Sequence, residues 1–136
     1  MTVSTVRVNT TDTAFRVTIK ADAEHAWAAD EPTAMGGGDT APSPTQLLLS
    51  SLGSCTAIKL QMYAGRKQWP LSAVEVALQL NPAGKPAAGN TEITRKITLT
   101  GSLNDEQRER LLQIANACPI HKVLSGAIQI ESALAD

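Results

Sequence analysis

Aromatic residues and cysteine are scarce in this chain of 136 residues. It contains two tryptophans, one tyrosine, one phenylalanine and two cysteines. Its core must therefore come from Leu, Ile, Val and Ala, within the 43% of residues that are apolar. Only 18% of the residues are charged, which is typical of a globular protein and not of a disordered one. We expect one domain spanning residues 1–136, a length that holds a single core.

The chain also lacks an excess of either charge and a long apolar run. Its net charge of −1 offers no basic surface to nucleic acid or to an anionic membrane. Lys59 and Gln61 interrupt the longest apolar stretch, so no membrane span is expected. The first ten residues have neither the charged nor the apolar region of a signal peptide. We expect a cytoplasmic protein, whose two cysteines are free thiols and not a structural disulfide.

Alternating apolar and polar residues predict several strands. The clearest segments are residues 14–20, 74–80 and 92–101, and residues 3–9, 25–30 and 127–134 are three further strands. In the first segment, Phe15, Val17 and Ile19 share one face. The loop between residues 80 and 92 has two prolines and two glycines, which predicts an antiparallel hairpin.

Two long stretches and one short one are predicted to be helical. Residues 44–66 follow a Ser-Pro start signal and are apolar on nearly every side, giving a rod of roughly 30 Å. Asn104 is a predicted N-cap. The side chains expected to face inward from that second helix are Leu111, Leu112, Ile114 and Ala115. Pro119 ends the second helix near Cys118 and begins a short third one.

These elements predict an α+β fold, with antiparallel strands around one long buried helix. A helix that is apolar on all sides has to be enclosed. One domain with about six strands does not easily cover such a helix, whereas a second copy of the chain would. We therefore expect a homodimer with the long helices near the interface.

The two cysteines occupy different local contexts. Cys55 lies in SLGSCTAIKL, about three turns into the long helix, and receives no help from the ends of that helix. Cys118 stands at the N-cap of the third helix, where free N–H groups and the helix dipole favour a thiolate. By itself, a cysteine in an apolar helix is usually a small buried hydrophobe. Cys118 is equally well read as a capping residue or as a reactive thiol.

The order of these elements resembles the OsmC/Ohr family of thiol-dependent hydroperoxide reductases, and most closely its OsmC-like branch. The segments that carry the resemblance are SPTQLLLSSLGSCTAIKLQMYAGRKQWPL, ANACPIHKVLSG and the loop GGGDTAPSP. The resemblance implies an intertwined homodimer with two active sites at the interface. It also implies that Cys55 is the peroxidatic thiol, which becomes a sulfenic acid, and that Cys118 resolves it as a disulfide. No metal or haem cofactor is needed, because sulfur carries the electrons and an external dithiol regenerates it.

The groups that tune the thiols depart from the family pattern. Well-characterised members place a glutamate ten residues before the helix cysteine and pair it with an arginine. Here that position is Thr45, followed by Gln46, which offer only neutral hydrogen bonds. Glu31 and Asp39 are the candidates to replace the carboxylate, and Arg16 is the candidate arginine.

Other polar residues have a functional and a structural interpretation. His121, one helical turn from Cys118, would lower the pKa of that thiol when protonated, or else is a surface residue. The loop acids, Asp30 among them, are otherwise solvated or act as caps. The cysteines and histidines contain no CxxC or HxxxH pair, so a zinc site is not expected.

Two functions from different classes follow. The first is a thiol peroxidase that acts on small organic hydroperoxides, which the two cysteines favour. The second is a ligand-binding or regulatory module that keeps the fold but has weak or no peroxidase activity, which the missing glutamate and arginine favour.

Overall fold

The computed structural model describes residues 4–22, 24–87 and 89–135. Their elements are β1 (Val6–Thr10), β2 (Val17–Ala21), β3 (His25–Ala29), a 3-10 helix (Thr33–Met35), α1 (Pro44–Lys67), β4 (Leu71–Leu80), β5 (Ile93–Gly101), α2 (Asp105–Ala115) and α3 (Pro119–Leu124). Every strand pair in this part of the chain is antiparallel. The predicted α+β class is thus confirmed. The chain divides into two compact units, residues 1–48 and 49–136, and the single domain stays a prediction.

The first unit contains a three-stranded sheet in the order β1-β2-β3. Ile19 on the central strand lies between Val8 and Trp27 and is buried, as the alternation predicts. Phe15, predicted to share the face of Val17 and Ile19, lies outside the strand. Its φ of 70° is left-handed and its ring is 60% exposed, because the extended backbone of β2 begins only at Val17.

The second unit contains the predicted hairpin, formed by β4 and β5. Val76 lies opposite Ile97, and Leu78 lies opposite Arg95. Burial alternates along both strands, so each presents one face to the core. The buried cluster in this unit consists of Leu60, Ala64, Leu111, Ile114 and Ala115. The hairpin residues that pack against it include Val74, Ile97 and Leu99.

Helix α1 has the predicted bounds to within one residue, but only one of its faces is covered. Its buried residues are Leu52, Gly53, Thr56, Leu60 and Ala64. Ile58 and Met62 on the other side are 51% and 57% exposed. The enclosure expected for this helix is therefore only partly supplied by the chain itself. No helix among the described residues combines the length and apolar character needed to cross a membrane.

Helix α2 begins at the predicted cap. Asn104 Oδ1 accepts a hydrogen bond from the backbone N–H of Gln107 at 2.8 Å, and Gln107 Oε1 accepts one from the N–H of Asn104 at 2.9 Å. Leu111 is fully buried, whereas Leu112 is 52% exposed, so the inward position predicted for Leu112 is wrong. Neighbouring residues of an α-helix differ by 100° in direction, and only one of two consecutive leucines points to the core.

The strand predicted over residues 127–134 is not formed in the described chain. The segment is irregular and exposed, with Ile128 at 56%, Ile130 at 83% and Leu134 at 93% exposure. A strand requires a neighbouring strand to which its backbone hydrogen-bonds. Neither sheet of the described residues includes this segment. The alternation of this segment predicted a strand, but the segment pairs with no strand of either described sheet.

The end of the hairpin gives a stability prediction. Gly101 has a φ of 145°, and a Cβ at this position would overlap the carbonyl oxygen of Pro70. We expect Gly101→Ala to lower the free energy of unfolding by at least about 3 kcal/mol, through backbone strain and this overlap together. Gly84→Ala is the matched control, because Gly84 has a φ of 101° but open space around it. It should cost only about 1 kcal/mol. Urea denaturation measures both, and equal losses would contradict the overlap.

Candidate dithiol site

The two cysteines of the chain are neighbours in the second unit. Each thiol contributes to the pKa shift of the other, and the hydroxyl oxygen of Thr56, the residue after Cys55, lies 3.9 Å from Cys118 Sγ. Cys55, on α1, is half-buried, and Cys118, between α2 and α3, is fully buried. Among the described residues, no group of three or more His, Cys, Asp or Glu side chains is arranged to hold a metal ion. The site is therefore a pair of neighbouring thiols.

Cys118 is the N-cap of α3, as predicted. Its Sγ accepts a hydrogen bond from the backbone N–H of His121 at 3.3 Å and lies 3.9 Å from Thr56 Oγ1. Pro119 follows directly and occupies the first turn of the helix. Pro119 has no N–H of its own, and the sulfur accepts from the third residue of the helix, as N-cap side chains commonly do.

An arginine from β5 reaches this site. Arg95 Nη1 donates to Thr56 Oγ1 at 3.0 Å and to the carbonyl oxygen of Ala115 at 3.3 Å. Its Nη2 donates to Asn116 Oδ1 at 2.9 Å and to His121 Nδ1 at 3.2 Å. None of these four acceptors is a carboxylate. The guanidinium therefore carries a positive charge close to the thiols, and none of its hydrogen-bond partners is a carboxylate.

Arg95 was not among the residues predicted from the sequence, where Arg16 was the candidate arginine. A signal was nevertheless present in β5. Arg95 lies between Ile93 and Ile97 in the inward phase of the alternation. A charged side chain at such a position is uncommon unless it has partners in the interior.

His121 is bound to Arg95 as a neutral ring. Burial lowers the pKa of His121, and the charge of Arg95 lowers it further. A guanidinium can only donate hydrogen bonds, so Nδ1 of His121 accepts and the ring proton is on Nε2. The expectation of a protonated imidazole beside Cys118 does not match this geometry. His121 acts on the sulfur through its backbone N–H instead.

The pKa of Cys55 is raised above its ordinary value. Burial is the largest cause, and the neighbouring Cys118 adds to the rise. The backbone N–H of Ile120 and the charge of Lys59 act in the opposite direction without cancelling it. Cys55 therefore holds its proton at neutral pH, as expected for a thiol in the middle of an apolar helix.

The pKa of Cys118 is lowered. Burial by itself would raise it, but the backbone N–H of His121, the thiol of Cys55 and the hydroxyl of Thr56 all donate toward the sulfur. The charge of Arg95 adds to their effect. Of the two thiols, Cys118 is therefore the one that loses its proton first.

The remaining predicted site residues belong to the first unit and have contacts there. Gln46 caps α1, because its Oε1 accepts from the N–H of Ser43 at 2.9 Å and its own N–H donates to Ser43 Oγ at 3.2 Å. Arg16 Nη1 donates to Thr40 Oγ1 at 2.6 Å. The N–H of the exposed Asp39 donates to the carbonyl oxygen of Glu31 at 3.0 Å. None of these contacts involves a thiol.

Asp30 is buried in the same loop and not solvated as expected, with only 1% exposure. Its Oδ2 accepts from the hydroxyl of Thr40 at 2.7 Å and from the N–H of Thr40 at 3.0 Å, and its Oδ1 accepts from the N–H of Glu31 at 2.8 Å. These bonds, led by that of the Thr40 hydroxyl, lower the pKa of Asp30 to about 2. Asp30 thus connects the start of the loop that precedes α1 to Thr40 near the end of that loop.

The sequence profile of the OsmC-like protein family matches residues 36–133. The chain belongs to the OsmC-like protein family. The matched range contains both cysteines and Arg95, so the dithiol site lies within the part of the chain that defines the family. The resemblance to the OsmC/Ohr family is confirmed.

Solved structures share the fold at low identity. An organic hydroperoxide resistance protein of Legionella pneumophila is 18% identical, with a TM-score of 0.69 over 93% of this chain and 91% of that one. An OsmC-like protein of Mycoplasma pneumoniae is 17% identical, with a TM-score of 0.72 over 91% and 86%. An organic hydroperoxide resistance protein of Elizabethkingia anophelis is 15% identical, with a TM-score of 0.68 over 93% and 90%. No curated protein matches the chain.

The buried carboxylate gives a pH prediction. The pKa of Asp30 is about 2 in the folded chain, against an ordinary value of 3.8. A lowered folded pKa stabilises the fold fully above the ordinary value, and this contribution is lost as the pH falls toward 2. We expect Asp30→Asn to lower the thermal unfolding midpoint above pH 4, and the difference from the wild type to close toward pH 2.

Circular dichroism melts between pH 2 and pH 6 measure this difference. Asp39→Asn is the matched control, because it removes a carboxylate from the same loop without removing an acceptor of the Thr40 donors. A difference between wild type and Asp30→Asn that stays constant across this pH range would contradict the assignment.

Proposed function

We propose that this chain is a thiol-dependent peroxidase that reduces small organic hydroperoxides. The observation that carries the proposal is the pair of neighbouring thiols beside a guanidinium that binds no carboxylate. Membership of the OsmC-like family supports it. The structures of two organic hydroperoxide resistance proteins with this fold agree with it.

Accessibility supports Cys55 as the peroxidatic thiol and Cys118 as the resolving thiol. Cys55 is half-buried, whereas Cys118 has no exposed surface in this chain. Electrostatics alone would favour Cys118, the thiol with the lowered pKa. The two observations are compatible when the Cys118 thiolate takes the proton of Cys55 as Cys55 attacks. Cys118 is then the base in the first step and the nucleophile in the second.

The first step oxidises Cys55. Its sulfur attacks the distal oxygen of the hydroperoxide, an S–O bond forms, and the O–O bond breaks. The proton of Cys55 passes to Cys118 Sγ, and the alkoxide that leaves takes a proton from water to become an alcohol. Cys55 is now a sulfenic acid and Cys118 a neutral thiol.

The second step forms the disulfide. Cys118 Sγ attacks Cys55 Sγ, the S–O bond breaks, and the hydroxide that leaves takes the Cys118 proton to become water. An external dithiol then reduces the disulfide to two thiols and is itself oxidised. The cytoplasm, where such dithiols keep cysteines reduced, is the location we expect.

The surroundings of Cys55 favour an organic substrate. Ile58 and Met62 lie three and seven residues after Cys55, on the same side of α1. Both are more than half exposed. An alkyl or aryl group on the peroxide therefore has an apolar surface to contact, which hydrogen peroxide does not use.

The proposal predicts peroxide consumption that depends on Cys55. With a dithiol as reductant, stopped-flow kinetics should show cumene hydroperoxide consumed about tenfold faster than hydrogen peroxide. Burial of roughly 60 Å² of apolar surface contributes about 1.5 kcal/mol, which is roughly that ratio. Cys55→Ser should abolish turnover. Cys118→Ser should accumulate a sulfenic acid on Cys55, which a dimedone-type probe and mass spectrometry detect.

Ser54→Ala is the control, because it changes an exposed neighbour of Cys55 on the same helix and should leave the rate unchanged. If the probe labels Cys118 before Cys55, then Cys118 is the peroxidatic thiol and Cys55 the resolving thiol. A wild-type rate no faster than that of a free model thiol would sink the peroxidase and favour a ligand-binding or regulatory module.

We also propose that the chain is an intertwined homodimer. Ile58 and Met62 on α1 are exposed, and so are the three large apolar residues between positions 128 and 134. Apolar surface of this extent is uncommon on a monomer. A second copy would offer a strand edge to the residues after α3 and would border the apolar surface beside Cys55, which then becomes a substrate pocket at the dimer interface.

The assembly prediction is a dimer that does not dissociate without unfolding. Sedimentation velocity at micromolar concentration should give the mass of two chains. Ile130→Asp should weaken the dimer, and Gln129→Asp is its control, because the two changes introduce the same charge at neighbouring positions. A folded wild-type monomer at this concentration would contradict the prediction.

A further inference from the structure

We propose that Arg95 is a positioning residue that holds the negative charge of the dithiol pair on Cys118 and acts through the hydroxyl of Thr56. Its catalytic consequence rests on the proposed peroxidase function, whereas the charge arrangement itself does not. The proposal adds a third element, β5, to a site that sequence reasoning assigned to α1 and α3.

The first support is the charge balance around Arg95. The side chain is half-buried, and its four hydrogen-bond acceptors are all neutral. A buried charge without a counter-charge is costly. The other titratable and charged groups that act on the pair or on Arg95 are Lys59 on α1 and His121 on α3. Lys59 is a cation and the His121 ring is neutral, so among these groups the thiol pair is the one that supplies an anion.

The second support is the single proton of the Thr56 hydroxyl. Thr56 is fully buried, and its oxygen accepts a hydrogen bond from Arg95 Nη1 at 3.0 Å. The hydroxyl proton then has two possible acceptors, the carbonyl oxygen of Leu52 at 2.7 Å and Cys118 Sγ at 3.9 Å. When Cys118 ionises, the proton turns from the carbonyl to the thiolate. Arg95 polarises the hydroxyl and thereby strengthens this donor.

The third support is the position of Cys118 itself. Arg95 binds the carbonyl oxygen of Ala115, the side chain of Asn116 and the ring of His121. These residues flank Cys118 on both sides. The guanidinium therefore fixes the short connection between α2 and α3 and keeps the His121 N–H on the sulfur. A lysine keeps the charge but cannot make this planar set of bonds.

The test is the pH titration of the reduced chain, followed by the ultraviolet absorbance of thiolate and by the rate of alkylation. We expect Arg95→Gln to raise the lower apparent pKa of the pair by about one unit, which is roughly a tenfold smaller thiolate fraction at neutral pH. Thr56→Val should shift it in the same direction by less, and Arg95→Lys should lie between wild type and Arg95→Gln.

Arg108→Gln is the matched control. Arg108 donates to the carbonyl oxygens of Leu99 and Gly101, and neither contact involves a thiol. Its removal takes the same charge from the same unit and should leave the titration unchanged. An equal shift in Arg108→Gln would show a general charge effect and overturn the proposal.

An unchanged lower apparent pKa in both Arg95→Gln and Thr56→Val also overturns it. If Arg95→Gln does not fold, Thr56→Val and Arg95→Lys decide by the same criterion. A shifted titration together with a wild type that consumes no peroxide supports this inference and refutes the peroxidase. A wild type that consumes peroxide, together with titrations that do not shift, supports the peroxidase and refutes this inference.

Discussion

The dithiol site depends on one guanidinium that is held in place by neutral acceptors. Arg95 connects β5 to Thr56 on α1, to the end of α2 and to His121 on α3. Burial disfavours the ionisation of both Cys55 and Cys118, so burial does not explain why their pKa values shift in opposite directions. The separation comes from the donors and the charge that converge on one sulfur. Two identical residues thereby have pKa values shifted in opposite directions.

Much of the fold was readable from the sequence, because local rules and packing agree there. The alternation in 74–80 and 92–101 and the loop between them predicted the hairpin, and Asn104 predicted the start of α2. Pro119 predicted where α3 begins and made Cys118 its cap. In each case the signal lies within a few residues of the feature it specifies.

The failures share a different cause, since each depends on residues far away in the sequence. Residues 127–134 alternate like a strand but pair with no strand of the described chain. Leu112 is as apolar as its buried neighbour but points out of the core. Arg95, which lies beside the thiols, is on β5, 40 positions after Cys55. Asp30 is buried because Thr40, ten positions later, donates hydrogen bonds to it, and the residues next to Asp30 gave no sign of this. Periodicity along the sequence predicts which side chains share a face, but it does not predict which residues that face will contact.

The contact between the thiols has a consequence for chain entropy. Cys55 and Cys118 are close in space but distant along the chain, so a bond between them would close a loop of about 60 residues. In the loop-entropy description, such a cross-link removes enough freedom from the unfolded chain to stabilise the fold by about 4 kcal/mol. The coupling is mutual, because a fold that holds two thiols together also raises their effective concentration. Oxidation of the two thiols to a disulfide would therefore stabilise the fold in which it occurs. Each reduction of the disulfide would return the chain to its less stable form.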